Sequence, residues 1–157
     1  MSQPPAQHTT FTIDRVLNAP PAQVFKSWSE PSAKSRWFSG PPGQWKERSR
    51  EFNFRVGGRE ALVGLRTDGK VSTFAARYLD IVPEQRIVYS YEMYLDQARI
   101  SISLATVQFS PTGAGTRMTF TEHAVFLDGH DDAGGREKGT RALIDQLEAS
   151  LRVKPAR

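Results

Sequence analysis

Glu122 is the side chain with the most chemical leverage in this sequence. In the run from Arg117 to His123, alternation puts Met118, Phe120 and Glu122 on one face and Arg117, Thr119, Thr121 and His123 on the other. A carboxylate on an otherwise apolar face either pairs with a cation, for which Arg99 and Arg136 are candidates, or is a buried acid available for proton transfer. A dyad with His123 fails unless a bulge turns the neighbouring residue to the same face. Tyr89, Tyr91 and Met93 share a face of the run 86–94 with Ile87, and their phenols can orient a ligand or assist Glu122. His130, Asp131 and Asp132 are metal-ligand types, but they sit in a turn ahead of a helix, where Asp is the expected cap. No metal and no cofactor are predicted. Gly57-Gly58 is a turn pair and not a phosphate loop, since no Gly-Lys-Ser/Thr follows.

Positioning these groups requires a sheet. FTIDRVLNA alternates, with Phe11, Ile13 and Val16 on one face. Prolines then open two short helices. The first places Val24, Phe25 and Trp28 on one side, and the second carries Lys34 to Phe38. SGPPG is a loop. Strands are predicted at 51–56, 59–66, 72–82, 86–94, 99–110 and 116–123, joined by Gly57-Gly58, Asp68-Gly69, Pro83-Glu84, Asp96-Gln97 and 111–115. Such short connections cannot hold parallel crossovers, so the sheet of about seven strands is antiparallel. In strand 99–110 the apolar parity changes from Ile100, Ile102 and Leu104 to Ala105, Val107 and Phe109, which predicts a bulge near 103–105.

A helix follows DGHDDAGG and runs to about Val153, with Leu143, Ile144, Leu147 and Leu151 beside Thr140 as its apolar stripe. Glu137–Arg141 and Glu148–Arg152 are favourable pairs on its wet side. Gly134, Gly135 and Gly139 are poor helix formers, and a close approach of the first turns to another element would explain them. A one-sided helix and a one-sided sheet pack on each other. The fold class is therefore α+β, with residues 1–9 as a loose tail and 10–153 as one domain.

The totals agree with that reading. The chain has 157 residues, 38% apolar and 10% aromatic, enough to build a core. It has no cysteine, which excludes thiolate chemistry, and no apolar run long enough to span a membrane. A cytoplasmic location is the default. The net charge is +4, and the segment 34–59 carries seven cations against two anions, an excess of five. That stretch is a solvated loop and edge strand, or a basic surface for an acidic partner. No nucleic-acid signature accompanies it.

Four stretches carry a resemblance. APPAQVFKSWSEPSAKSRWF is similar to the opening of the START-like helix-grip (SRPBCC) superfamily, and FNFRVGG to its Asp-x-Arg-x-Gly-Gly turn, with Asn53 in the Asp place. YLDIVPEQRIVYSYE resembles its strand-Pro-Glu-x-Arg-strand hairpin, and FTEHAVFLDGHDDAGGREKGTRALIDQL its entry into the last helix. The subfamily resembled is that of activators of heat-shock-protein ATPase, also labelled polyketide-cyclase-like. The resemblance implies a helix-grip fold with a cavity between sheet and C-terminal helix. Thr140 stands where a Trp is frequent, and His123-Ala124 where Gln-Gly is commoner; both are expected to reshape one end of the pocket.

The predicted lining is Trp37, Trp45, Phe54, Tyr89, Tyr91 and Met93 on one side, with Met118, Phe120, Glu122 and Phe126, facing Ile144 and Leu147 on the helix. It suits a flat apolar ligand. Three functions stay open: non-catalytic binding of a small hydrophobic or aromatic molecule, a cyclase, lyase or hydrolase using Glu122, or a cochaperone-like module binding a protein through Arg48, Arg50 and Arg55. Apolar side chains behind the pocket face, such as Val88 and Tyr94, suggest a homodimer contact.

Overall fold

The computed structural model describes residues 6–130 and 133–152. Seven strands form one antiparallel sheet: β1 (Gln7–Leu17), β2 (Trp45–Phe52), β3 (Arg59–Arg66), β4 (Val71–Val82), β5 (Arg86–Leu95), β6 (Ala98–Thr112) and β7 (Gly115–Phe126). The order is β1-β7-β6-β5-β4-β3-β2, so the first strand returns beside the last and the meander runs on to an edge at β2. Two short helices, α1 (Pro21–Ser29) and α2 (Pro31–Lys34), follow β1, and α3 (Ala133–Ser150) closes the concave face. This is the predicted helix-grip.

Three irregularities bend the sheet. Arg48 in β2, Leu79 in β4 and Ile100 in β6 are each an extra residue against the partner strand. The bulge in β6 thus falls at Ile100 and not at 103–105. Beyond it the register with β7 is unbroken from Ser101 to Thr112. Inward positions are therefore Ser101, Ser103, Ala105, Val107 and Phe109, all buried, whereas Ile102 and Leu104 face outward at 38% and 41% exposed. This register turns two serines, and not two aliphatics, to the inner face beside the carboxylate of Glu122 in β7.

Other expectations also move. Val16 is 68% exposed, and Leu17 takes the inward position because β1 keeps its alternation with no bulge. Residues 7–9, expected in the tail, pair with 124–126 of β7; residues 1–5 lie outside the described range. The strand expected at 51–56 lies at Trp45–Phe52. Residues 53–58 instead coil into turns, with Arg55 N–H on the Asn53 carbonyl, Gly58 N–H on the Arg55 carbonyl, and Gly57 at φ 83°. The edge strand is mostly exposed and polar, which hides its period.

The helix grips as expected: Ile144 and Leu147 are buried, with Leu143 and Leu151 packed against the core. Arg15 of β1 reaches Asp145 at 2.7 Å and ties the helix to the sheet edge. Both predicted pairs, Glu137–Arg141 and Glu148–Arg152, form. The cap at Asp131 or Asp132 lies outside the described residues, and the helix stops at Ser150, with Leu151 and Arg152 in a turn, short of the expected end near Val153. Close approach is not the reason for Gly134 or Gly139, because a Cβ at either would meet nothing within 4 Å.

Close approach does govern Gly64. The Trp45 ring lies over β3 so tightly that a Cβ on Gly64 would come within 1.8 Å of it, and one on Gly40 within 2.3 Å. Trp45 Nε1 donates to Ser72 Oγ at 3.0 Å, which fixes the ring's rotation. Gly64→Ala is expected to cost about 1–3 kcal/mol through this overpacking. Urea unfolding followed by tryptophan emission measures it, and an unchanged midpoint would show that the ring is free to move.

Candidate functional site

Between α3 and the concave sheet lies a cavity of about 460 Å³. Its sheet wall is aromatic and apolar: Phe74, Tyr89, Tyr91, Met93 and Phe120. Trp28, Trp37 and Phe38 form one side, and Ser39–Pro42 with Trp45 form the rim. The helix contributes Gly135, Arg136, Gly139, Thr140, Leu143 and Ile144. Glycines at 135 and 139 leave the helix backbone itself as part of the wall, which is the structural use of those residues.

Each wall residue has a local cause. Trp37 follows α2 and is locked by its Nε1 donating to the Ser27 carbonyl at 2.8 Å, with its ring edge-on to Trp28 at 4.8 Å. Tyr89 and Tyr91 project inward from β5 by alternation, their rings 6.0 Å apart. Burial pushes both phenols well above their ordinary pKa, Tyr91 and Glu122 adding to the shift at Tyr89 and Glu122 to that at Tyr91 against the opposing Arg136, so they stay protonated.

Of the predicted lining, Trp37, Trp45, Tyr89, Tyr91, Met93, Phe120, Glu122 and Ile144 come together around this cavity. Phe54, Met118, Phe126 and Leu147 do not. Phe54 is packed between Phe25 and Tyr78, with ring separations of 5.8 and 4.8 Å, because it sits beyond the end of β2. Met118 and Leu147 are fully buried in the core. Phe126 lies beneath the Arg136 guanidinium at 5.0 Å. His123 faces outward, exposed, and bonds Thr10 at 3.1 Å, so it neither joins a dyad nor reshapes the pocket; Ala124 is inward but off the cavity wall.

A polar cluster stands at one end of this apolar space. Glu122 is fully buried, and its Oε2 accepts from Tyr91 Oη at 2.6 Å, Ser103 Oγ at 2.9 Å and Arg136 Nη1 at 3.3 Å. Arg136 Nη2 also donates to Ser101 Oγ at 2.8 Å. Of the two candidate cations, Arg136 is thus the partner, while Arg99 pairs with Glu92 on the outer face at 3.0 Å. The inward serines were legible only by carrying alternation straight through β6. A residue of α3 facing β7 could not be paired from sequence beyond the shortlist of two.

A second buried pair lies behind the aromatic side and was not anticipated. Lys34 Nζ meets Glu60 Oε1 at 2.8 Å, and Tyr78 Oη donates to the same oxygen at 2.6 Å. Lys34, counted at first among solvated basic residues, is 2% exposed. Its ammonium lies 4.6 Å from the Phe38 ring centre and within 6 Å of Trp28, Trp37, Phe52 and Tyr89. Burial lowers its pKa, and the Glu60 carboxylate opposes that shift. The signal in the sequence was the parity of Glu60 with Leu62 and of Lys34 with Trp37 one helical turn on.

Among the described residues no three His, Cys, Asp or Glu side chains converge on a metal-sized point, and no helix is long and apolar enough to cross a membrane.

Known proteins share this architecture. An uncharacterised protein of Rhizobium leguminosarum is 47% identical with a TM-score of 0.89, covering 94% of this chain and 96% of that one. Mll3558 of Rhizobium loti is 41% identical with a TM-score of 0.87, over 94% and 99%. CV1439 of Chromobacterium violaceum is 26% identical with a TM-score of 0.75, over 92% and 98%. A comparison with curated proteins gave no match. Residues 18–152, which hold every cavity-lining residue and both buried ion pairs, match the model of the Activator of Hsp90 ATPase homolog 1-like proteins, and the chain belongs to that family.

Proposed function

We propose that the protein binds a small hydrophobic or aromatic molecule in the cavity between sheet and α3 without transforming it. The observation carrying this reading is the 460 Å³ of space walled by aromatic side chains. That volume is in the range of small-molecule pockets, roughly 300–1,000 Å³. The family fold commonly holds hydrophobic ligands, which supports the same reading.

The Glu122 environment favours binding over catalysis. General acid–base work needs a free carboxylate oxygen and usually a second group to pass the proton on. Here Oε2 is held by an arginine, a tyrosine and a serine, and Oε1 is left to a ligand, but among the described residues no histidine, lysine or second carboxylate lines the cavity to relay a proton. The cluster orients and does not transfer. Native mass spectrometry of the purified protein, followed by denaturing release, is expected to yield an apolar compound of fewer than about 30 non-hydrogen atoms, the size such a pocket can enclose. Turnover of that compound by the wild type, lost in Glu122→Gln, would replace this reading with the enzymatic one.

A protein-binding role through the basic segment retains one supporting observation, the exposure of Lys46, Arg48, Arg55 and Arg59. Arg50 belongs to it less, since its guanidinium is fixed by the Phe38 carbonyl at 2.7 Å and by Glu47. Reversing the charge of Arg48 and Arg55 damages that role alone and leaves ligand affinity within about threefold, because both lie off the cavity wall.

A further inference from the structure

We propose that the cavity selects ligands which present one neutral hydrogen-bond donor, a hydroxyl or an N–H on an otherwise apolar flat skeleton, to the Glu122 carboxylate. The inference rests on the cavity being a ligand site. It begins from an unequal division of bonds at Glu122. Three donors converge on Oε2, whereas Oε1, equally buried, has no hydrogen-bond donor among the described residues. A buried acceptor left unmade is destabilising, and charged acceptors more so. Glu122 lies on the cavity wall. Oε1 itself has almost no open surface, so the missing donor is one that an occupant of the cavity supplies once a small rotation of the carboxyl group brings Oε1 to the wall.

Charge decides what kind of donor. Glu122 and Arg136 form a one-to-one pair at 3.3 Å, and both line the cavity. An ammonium brought to Oε1 would approach the guanidinium, and a carboxylate brought to Arg136 would approach Glu122. In a site of low dielectric either approach is costly. A neutral donor meets neither penalty, and its bond to an ionised acceptor is among the stronger ones.

The test compares three compounds of one shape on the wild-type protein by titration calorimetry at pH 7: 2-naphthol, 2-methoxynaphthalene and 2-naphthoate. The expected result is that 2-naphthol binds about tenfold or more tightly than its methyl ether, the worth of one hydrogen bond to a charged group, and more tightly than the carboxylate. In Glu122→Gln the naphthol-to-ether ratio is expected to fall to within about threefold. Equal binding of naphthol and ether by the wild type overturns the inference while leaving cavity binding intact. Naphthoate as the tightest ligand overturns it in favour of Arg136 as an anion receptor. A naphthol preference that survives in Glu122→Gln overturns the assignment to Glu122. Failure of all three to bind removes both this inference and the cavity reading beneath it. The wild-type comparison stands even if the variant does not fold.

Discussion

Lys34→Ala is expected to cost the fold about 3–5 kcal/mol, the usual consequence of stranding one partner of a buried ion pair. Among the described residues, Glu60, 2% exposed, would keep only the Tyr78 hydroxyl on Oε1, and its Oε2 already lacks a partner. The ammonium also holds five aromatic rings around it, four of which (Trp28, Trp37, Phe38 and Tyr89) line the cavity. Loss of the charge therefore loosens the pocket wall as well as the core. Replacing both partners, as in Lys34→Met with Glu60→Leu, should recover most of the loss, because paired apolar side chains carry no desolvation penalty. Urea unfolding of the two variants separates these effects. As a reference, Arg86→Ala breaks an exposed pair with Asp80, for which a change of about 0–1 kcal/mol is expected. A Lys34→Ala loss no larger than that of Arg86→Ala would mean that the buried pair is hydrated.

The architecture was legible because it follows from periodicities of two and 3.6 punctuated by turn residues. Tyr89, Tyr91, Phe120 and Glu122 face the cavity for no other reason than alternation within β5 and β7. The errors arose where apolar content and alternation disagreed. In β6 the apolar Ile100, Ile102 and Leu104 argue for a bulge near 103–105 that would bring them to the same face as Ala105, Val107 and Phe109. The unbroken register with β7 instead sends Ser101 and Ser103 inward to serve Glu122 and Arg136. Long-range pairing was the harder part. Lys34–Glu60 and Glu122–Arg136 span 26 and 14 residues and join a helix or turn to a strand. No local pattern specifies which cation meets which carboxylate across a core. Lining residues at the periphery, Phe54, Met118, Phe126 and Leu147, were lost because a face of a strand or helix extends further than the hollow beside it.

Thr140→Trp should close the cavity without unfolding the protein. Thr140 is half-buried on the helix face that lines the space, one turn from Arg136 and from Ile144, and its Oγ1 merely returns a bond to the Arg136 carbonyl at 2.9 Å. The cavity of about 460 Å³ beside Thr140 gives an indole at this place room to turn into. Displacing as little as about 60 Å² of ligand contact corresponds to about 1.5 kcal/mol, a tenfold rise in Kd. A loss of tenfold or more in 2-naphthol affinity is therefore expected, with an unfolding midpoint at or above that of the wild type, since the indole fills space that was empty. Gly134→Ala is the companion measurement. Gly134 is exposed and off the cavity wall, and its Cβ meets nothing within 4 Å, so stability should rise by up to about 0.5–1 kcal/mol as the helix loses a glycine, with affinity unchanged. Undiminished affinity in a folded Thr140→Trp protein would place the bound molecule elsewhere. Together the two variants distinguish a helix that is merely packed on the sheet from one that leaves a hollow beneath it for a ligand.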